Sequence, residues 1–215
     1  MRALLVDFGG VLTTSIWPAF AAFCEREGLE RDAVRDLFRR DPEAIALLRG
    51  LETGELEPAA FEPRFAELLG LASSDGLIEQ LFAGVRPEPA MIAAVGAARG
   101  AGVRTGLISN SWGSTVYEPD TLELFDAIVI SGEVGLHKPQ PEIYLLACER
   151  LGVEPADAIF VDDLRENIAG AEAVGMAGVL HREPLATIAQ LENLLGVGLS
   201  RPLNAERRVS RPIVE

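Results

Sequence analysis

Lysine is almost missing from this chain: of its 19 Lys and Arg residues, all but Lys138 are arginine. Basic charge is scarce as a whole, since 33 Asp and Glu leave a formal net charge of −14. Nucleic-acid binding draws most of its affinity from Lys and Arg on phosphates, so this balance argues against it. Cysteine is scarce too. Cys24 and Cys148 lie far apart on apolar helical stripes, which predicts buried free thiols in a reducing compartment rather than a disulfide framework. No apolar run is long enough to cross a bilayer. The opening MRALLVDFGG has one basic residue and a strand that ends in Asp7, unlike a secretory signal. The expectation is a cytoplasmic protein without a membrane partner.

A solitary lysine among arginines suggests a position that needs a compact ammonium, because the planar guanidinium fork cannot fit between several oxygens at once. Its companions are carboxylates placed after strand-like runs. Ala3-Leu4-Leu5-Val6 leads into Asp7, and Ala158-Ile159-Phe160-Val161 leads into Asp162-Asp163. A third run, Val103 to Ile108, ends in Ser109-Asn110-Ser111. Continuous apolar runs flanked by helical patterns are buried parallel strands, and open α/β sheets keep their chemistry at the carboxyl ends of such strands. One edge would therefore collect a nucleophile candidate, a phosphate-binding hydroxyl, a cation and a pair of metal-binding acids.

Between the first two strands, from Pro18 to about Val85, the periodicity is helical throughout. Phe20, Phe23 and Cys24, then Val34, Leu37 and Phe38, then Ile45, Leu47, Leu48 and Leu51 suit successive apolar stripes. From Pro87 onward strand and helix alternate, which implies right-handed parallel crossovers. The fold class is α/β, a doubly wound parallel sheet of Rossmann-like form with an inserted helical cap. The expected division is a core of residues 1–16 and 86–197, a cap of 17–85 and a tail of 198–215. The tail carries Arg201, Arg207, Arg208 and Arg211 with little periodicity. A groove in its own chain or a second subunit, as in a homodimer, would have to hold it.

The order Asp7, Ser109, Lys138, Asp162-Asp163 resembles the four signature motifs of the haloacid dehalogenase-like (HAD) hydrolases, over residues 1 to about 182. Most similar is the branch whose first motif is DxGxV and whose last is DDxxxNIxGA, matched here by Asp7 to Val11 and Asp162 to Ala171. That branch includes α-glucose-1-phosphatase-like enzymes and relatives of the phosphatase domain of epoxide hydrolases. The resemblance implies a phosphatase acting on a small phosphorylated metabolite, with Asp7 as nucleophile. It also implies Mg2+ held by Asp7, the Gly9 carbonyl and Asp162, with Asp163 acting through water or orienting Asp162. Ser109 and the backbone N–H of Asn110 would hold phosphoryl oxygens, Lys138 would neutralise them, and Asn167 would fix the loop after Asp162. Trp17 or Trp112 could stack on a substrate ring. His137 is read as structural.

One departure matters. Most HAD phosphatases carry a second Asp two residues after the nucleophile as general acid and base, and here that position is Gly9. Without it, leaving groups of low pKa should be favoured. Two other readings compete. A 2-haloacid dehalogenase also lacks the second Asp but needs no metal acids, and a non-catalytic binding protein could use the same scaffold.

Overall fold

The computed structural model describes residues 2–112, 117 and 119–199, so nearly all of the tail expectation lies outside the described residues. The first strand, β1 (Ala3–Val6), is followed by five helices: α1 (Ile16–Arg26), α2 (Ala33–Arg40), α3 (Pro42–Glu52), α4 (Pro58–Leu69) and α5 (Leu77–Phe82). Then come α6 (Pro89–Gly100), β2 (Arg104–Ser109), α7 (Pro119–Leu122), β3 (Ala127–Ile130), α8 (Ser131–Val134) and α9 (Pro141–Leu151). β4 (Ala158–Asp162), α10 (Arg165–Ala173), β5 (Ala177–Leu180) and α11 (Pro184–Leu195) complete the order.

The five strands form one parallel sheet in the order β3-β2-β1-β4-β5. Its strands are apolar on both sides because helices cover both faces. Successive side chains of a strand point to opposite faces. Accordingly, Leu4 and Val6 share a cluster with Met91 and Val95 of α6 and Leu191 of α11, while Ala3 and Leu5 share another with Ile143 and Ala147 of α9. β4 alternates in the same way, with Ile159 and Val161 in the first cluster and Phe160 in the second. Because β1 is flanked by β2 and β4, the residues that follow these three strands meet at the middle of the carboxyl edge.

The inserted helices build a third apolar cluster around Phe20, Phe61, Phe65 and Leu81. Their two connections to the sheet are bonded to each other. Thr14 N–H donates to Arg86 O at 2.8 Å and Glu88 N–H to Leu12 O at 2.7 Å. Helix α3 starts at a clear local signal: Pro42 occupies its first turn, and Asp41 accepts from the N–H groups of Glu43 and Ala44, both at 2.9 Å. One expectation needs correction. Ile45 is 41% exposed and leaves the α3 stripe to Ala44, Leu47 and Leu51. Trp112 belongs to the inserted helices' own cluster, with its ring against Phe20, Phe38, Phe61 and Phe82, so its burial is largely structural. Cys24 and Cys148 are buried free thiols, as expected, and burial pushes the Cys148 thiol up to about 11.

Candidate active site

Asp7 continues the β1 ladder by one residue, its N–H donating to Val161 O at 2.9 Å. Its side chain therefore emerges at the carboxyl edge. There Lys138 Nζ lies 2.6 Å from Asp7 Oδ1 and 2.8 Å from Asp162 Oδ2, with the lysine 3% exposed. The lysine is positioned by its backbone. Lys138 N–H donates to Asn110 Oδ1 at 2.9 Å, and Asn110 Nδ2 donates back to Lys138 O at 3.2 Å. The Asn110 side chain thus ties the end of β2 to the segment that carries the cation.

Asp162 is fully buried and surrounded by donors. Its Oδ1 accepts from Leu164 N–H at 2.8 Å, and Asn167 Nδ2 lies 3.1 and 3.0 Å from its two oxygens. Asn167 therefore holds the carboxylate itself as well as the loop that follows. Asp163 completes a group of three carboxylates, with Asp7 and Asp162, whose nearest oxygens all lie within 4.8 Å of one another. Its carboxylate rests on the turn after Asp7. A Cβ at Gly10, where φ is +73°, would stand 2.7 Å from Asp163 Oδ2. Only glycine accommodates both that backbone conformation and that approach.

The electrostatics of the group are unbalanced. Burial pushes the Asp7 carboxyl up to about 8, with Asp162 and Asp163 adding to the shift while Lys138 opposes it. Asp163 is raised to about 6 by burial and then by the charge of Asp162. Burial alone would lower the Lys138 ammonium, but Asp162 and Asp7 outweigh it and hold it above the ordinary lysine value. Three clustered carboxylates against one ammonium are what a hard divalent cation with oxygen ligands would neutralise. The donor set fits magnesium.

Ser109 ends β2 at the same edge and is buried, its Oγ accepting from the Tyr117 hydroxyl at 2.9 Å. His137 lies next to the lysine in sequence, yet its Nδ1 is 2.7 Å from Lys138 O and must donate to it. His137 does not line the site.

The family follows from a match that covers most of the chain: the model of the haloacid dehalogenase-like hydrolases fits residues 1–175. The chain belongs to the haloacid dehalogenase-like hydrolases. Sesquiterpene phosphatase astK of Aspergillus oryzae is 30% identical over 151 residues, which is 67% of this chain and 77% of that protein. Acyl-CoA dehydrogenase family member 10 of Mus musculus is 27% identical over 208 residues, 92% of this chain but 19% of that much longer protein. A HAD-family enzyme of Bacteroides thetaiotaomicron, solved with magnesium and inorganic phosphate, has the same fold. It matches at a TM-score of 0.63 and 21% identity, over 85% of this chain and 94% of that one.

In this HAD-like hydrolase Asp7, Asp163, Lys138 and Ser109 line a cavity of about 300 Å3 between the sheet edge and the inserted helices. Gly9 lines it, and a Cβ there would meet nothing within 4 Å. Trp17 and Trp112 line it as well. Tyr117, behind Ser109, escapes a reading of the sequence, whereas Glu52, the last residue of α3, falls in the segment Leu51 to Glu57 that the sequence suggests as a specificity loop, without any role of its own. Neither sits at a strand end, so the packing of the inserted helices and of the chain after β2 is what brings each to the cavity. No helix of the described residues is long and apolar enough to cross a membrane.

Proposed function

We propose that this HAD-like hydrolase is a magnesium-dependent phosphomonoesterase that transfers phosphate through Asp7 and acts on a small phosphorylated metabolite. The observation that carries the reading is the Lys138 ammonium held between Asp7 Oδ1 and Asp162 Oδ2, with Asp163 in the same carboxylate group. An Asp7 oxygen attacks phosphorus while the ester P–O bond breaks, giving an aspartyl-phosphate that water then hydrolyses. Ser109 Oγ and the backbone N–H of Asn110 hold phosphoryl oxygens, and Lys138 meets the charge that spreads over them in the transition state. Asp7, Asp162, Asp163 and the Gly9 carbonyl would hold magnesium, which when bound neutralises phosphoryl charge beside Asp7. A metal-free dehalogenase would leave the three clustered carboxylates with Lys138 as their one close cation among the described residues.

The inserted helices serve as the cap and set the substrate class. Ile16, Trp17, Phe82, Val85 and Trp112 give the cavity an apolar wall opposite the charged edge. Such a wall favours an apolar alcohol or phenol over a sugar as the group bearing the phosphate. The similarity to a sesquiterpene phosphatase supports the same preference. Phosphate release from a panel of aryl, prenyl and sugar phosphates, with and without Mg2+, tests both points. The apolar esters should be turned over best, and only with the metal. Sugar phosphates as the best substrates would overturn the substrate class, and equal rates in chelator would overturn the metal.

Metal binding has its own readout. At a Mg2+ concentration 100 times the dissociation constant, linkage adds about 2.7 kcal/mol of stability. For a domain of this size, each kcal/mol is worth roughly 2–4 °C in melting temperature. The parent should therefore gain several degrees in millimolar Mg2+, and Asp162→Asn should lose most of that increment. An unchanged melting curve of the parent would remove the metal from the reading.

A further inference from the structure

A phosphomonoesterase with glycine two residues after its nucleophile lacks the acid that protonates the leaving oxygen and the base that activates water. Gly9 leaves open space on the cavity side and offers no proton. We propose that Glu52 of the cap supplies both functions, as the acid in the first step and the base in the second. The inference rests on the phosphomonoesterase reading above and names the residue that completes it.

The first support is placement. Glu52 lines the same cavity as Asp7, Lys138 and Ser109. Its position is set by the core rather than by the cap alone: the Ser131 hydroxyl of α8 donates to Glu52 O, and Ser131 Oγ accepts from Ser111 N–H at 2.8 Å. Two residues on, Gly54 adopts φ +74° against α8, where a Cβ would fall 2.6 Å from Gly132 O. The end of α3 is therefore clamped to the sheet edge and carries its carboxyl with it.

The second support is elimination. Of the other titratable groups lining the cavity, Asp7 and Lys138 are paired with each other, Asp163 belongs to the carboxylate trio, and the Tyr117 hydroxyl donates to Ser109. The Glu52 carboxyl is instead hydrogen-bonded to Trp112, on the side of the inserted helices. Its surroundings suit proton transfer. Burial raises its carboxyl to about 7, against the pull of the Lys138 charge and a hydrogen bond from Trp112. A general acid and base is most useful when it titrates near the working pH.

In the first step the ester P–O bond breaks as an Asp7 oxygen bonds to phosphorus. The departing oxygen takes the Glu52 proton, leaving a free alcohol, an aspartyl-phosphate and a Glu52 carboxylate. In the second, that carboxylate takes a proton from water as the water oxygen bonds to phosphorus. The bond to Asp7 breaks with its electron pair returning to the carboxylate, so inorganic phosphate leaves and Glu52 is again protonated.

Leaving-group dependence tests this. The parent with Mg2+ should hydrolyse benzyl phosphate and 4-nitrophenyl phosphate with similar kcat/KM, since a donated proton removes the need for a good leaving group. Glu52→Gln should lose about 10² or more in kcat/KM on benzyl phosphate and little on 4-nitrophenyl phosphate, whose phenolate departs unaided. A burst of nitrophenolate should then appear as the aspartyl-phosphate waits for a base. Adding Gly9→Asp to Glu52→Gln should restore benzyl phosphate turnover, because the new side chain enters open space. Equal loss on both esters, or loss on neither, would overturn the role of Glu52. A parent that releases phosphate from no ester with Mg2+ would instead overturn the phosphatase reading itself. Should the Gln variant fail to fold, Glu52→Asp, which withdraws the acid by one methylene, must show the same split.

Discussion

Asp7→Asn should abolish phosphate release, by about 10⁴ or more in kcat, while leaving the fold intact. An amide cannot form the covalent intermediate. Stability should move the other way. Burial and the charges of Asp162 and Asp163 already push the Asp7 carboxyl up to about 8, so an ionised Asp7 is a cost to the metal-free protein. The Asn variant removes that cost and can still accept a hydrogen bond from Lys138. In chelator its melting temperature should equal or exceed that of the parent, the signature of a site held under electrostatic strain for the sake of activity. Substantial residual turnover, with the parent's metal dependence, would show that another group attacks phosphorus.

Lys138→Met should be as damaging to the fold as to the chemistry. The substitution leaves Asp7 and Asp162 buried without their shared counter-charge, and removing one partner of a buried ion pair costs about 3–5 kcal/mol. Turnover should fall by about 10² to 10³ with the loss of a cation aimed at the phosphoryl oxygens. Lys138→Arg separates charge from shape. The ammonium occupies a gap 2.6 and 2.8 Å from two carboxylate oxygens and 5.5 Å from the centre of the Phe160 ring, too close for a guanidinium without displacement of its neighbours. Activity should drop roughly tenfold or more although the charge is kept. An Arg variant as stable and active as the parent would make the solitary lysine an accident of composition.

Much of this arrangement is legible in the chain because it is local. A four-residue apolar run buried on both faces, as at Ala3 to Val6, reads directly as an inner strand, and an acid at its end can only emerge at the sheet edge. Lys138 stands out by composition. Other features depend on long-range packing that no local pattern encodes. Glu52 is one of many glutamates on helical surfaces until Ser131 and Gly132 anchor it over the edge. Tyr117 becomes part of the site only through its bond to Ser109. Ile45 reads as core by its apolar character, but α3 turns a narrower face inward than its sequence suggests. Trp112 has a share in both places, packed in the aromatic cluster of the inserted helices and lining the cavity.

The sheet order also constrains how the protein acquires its structure. The strand that leads to Asp7 comes first in the chain, yet its partners are distant: Ala3 pairs with Arg104 on one side and with Ala158 on the other. Helices α1 to α5 pack chiefly on one another within one stretch of chain and can collapse early, whereas the centre of the sheet must wait for the last third of the chain. Contacts of such wide sequence separation slow folding and leave apolar strands unpaired in the interval. The carboxylates and the lysine of the candidate site are therefore the last to be brought together, and a chain stalled before Ala158 would carry packed inserted helices and an unassembled sheet edge.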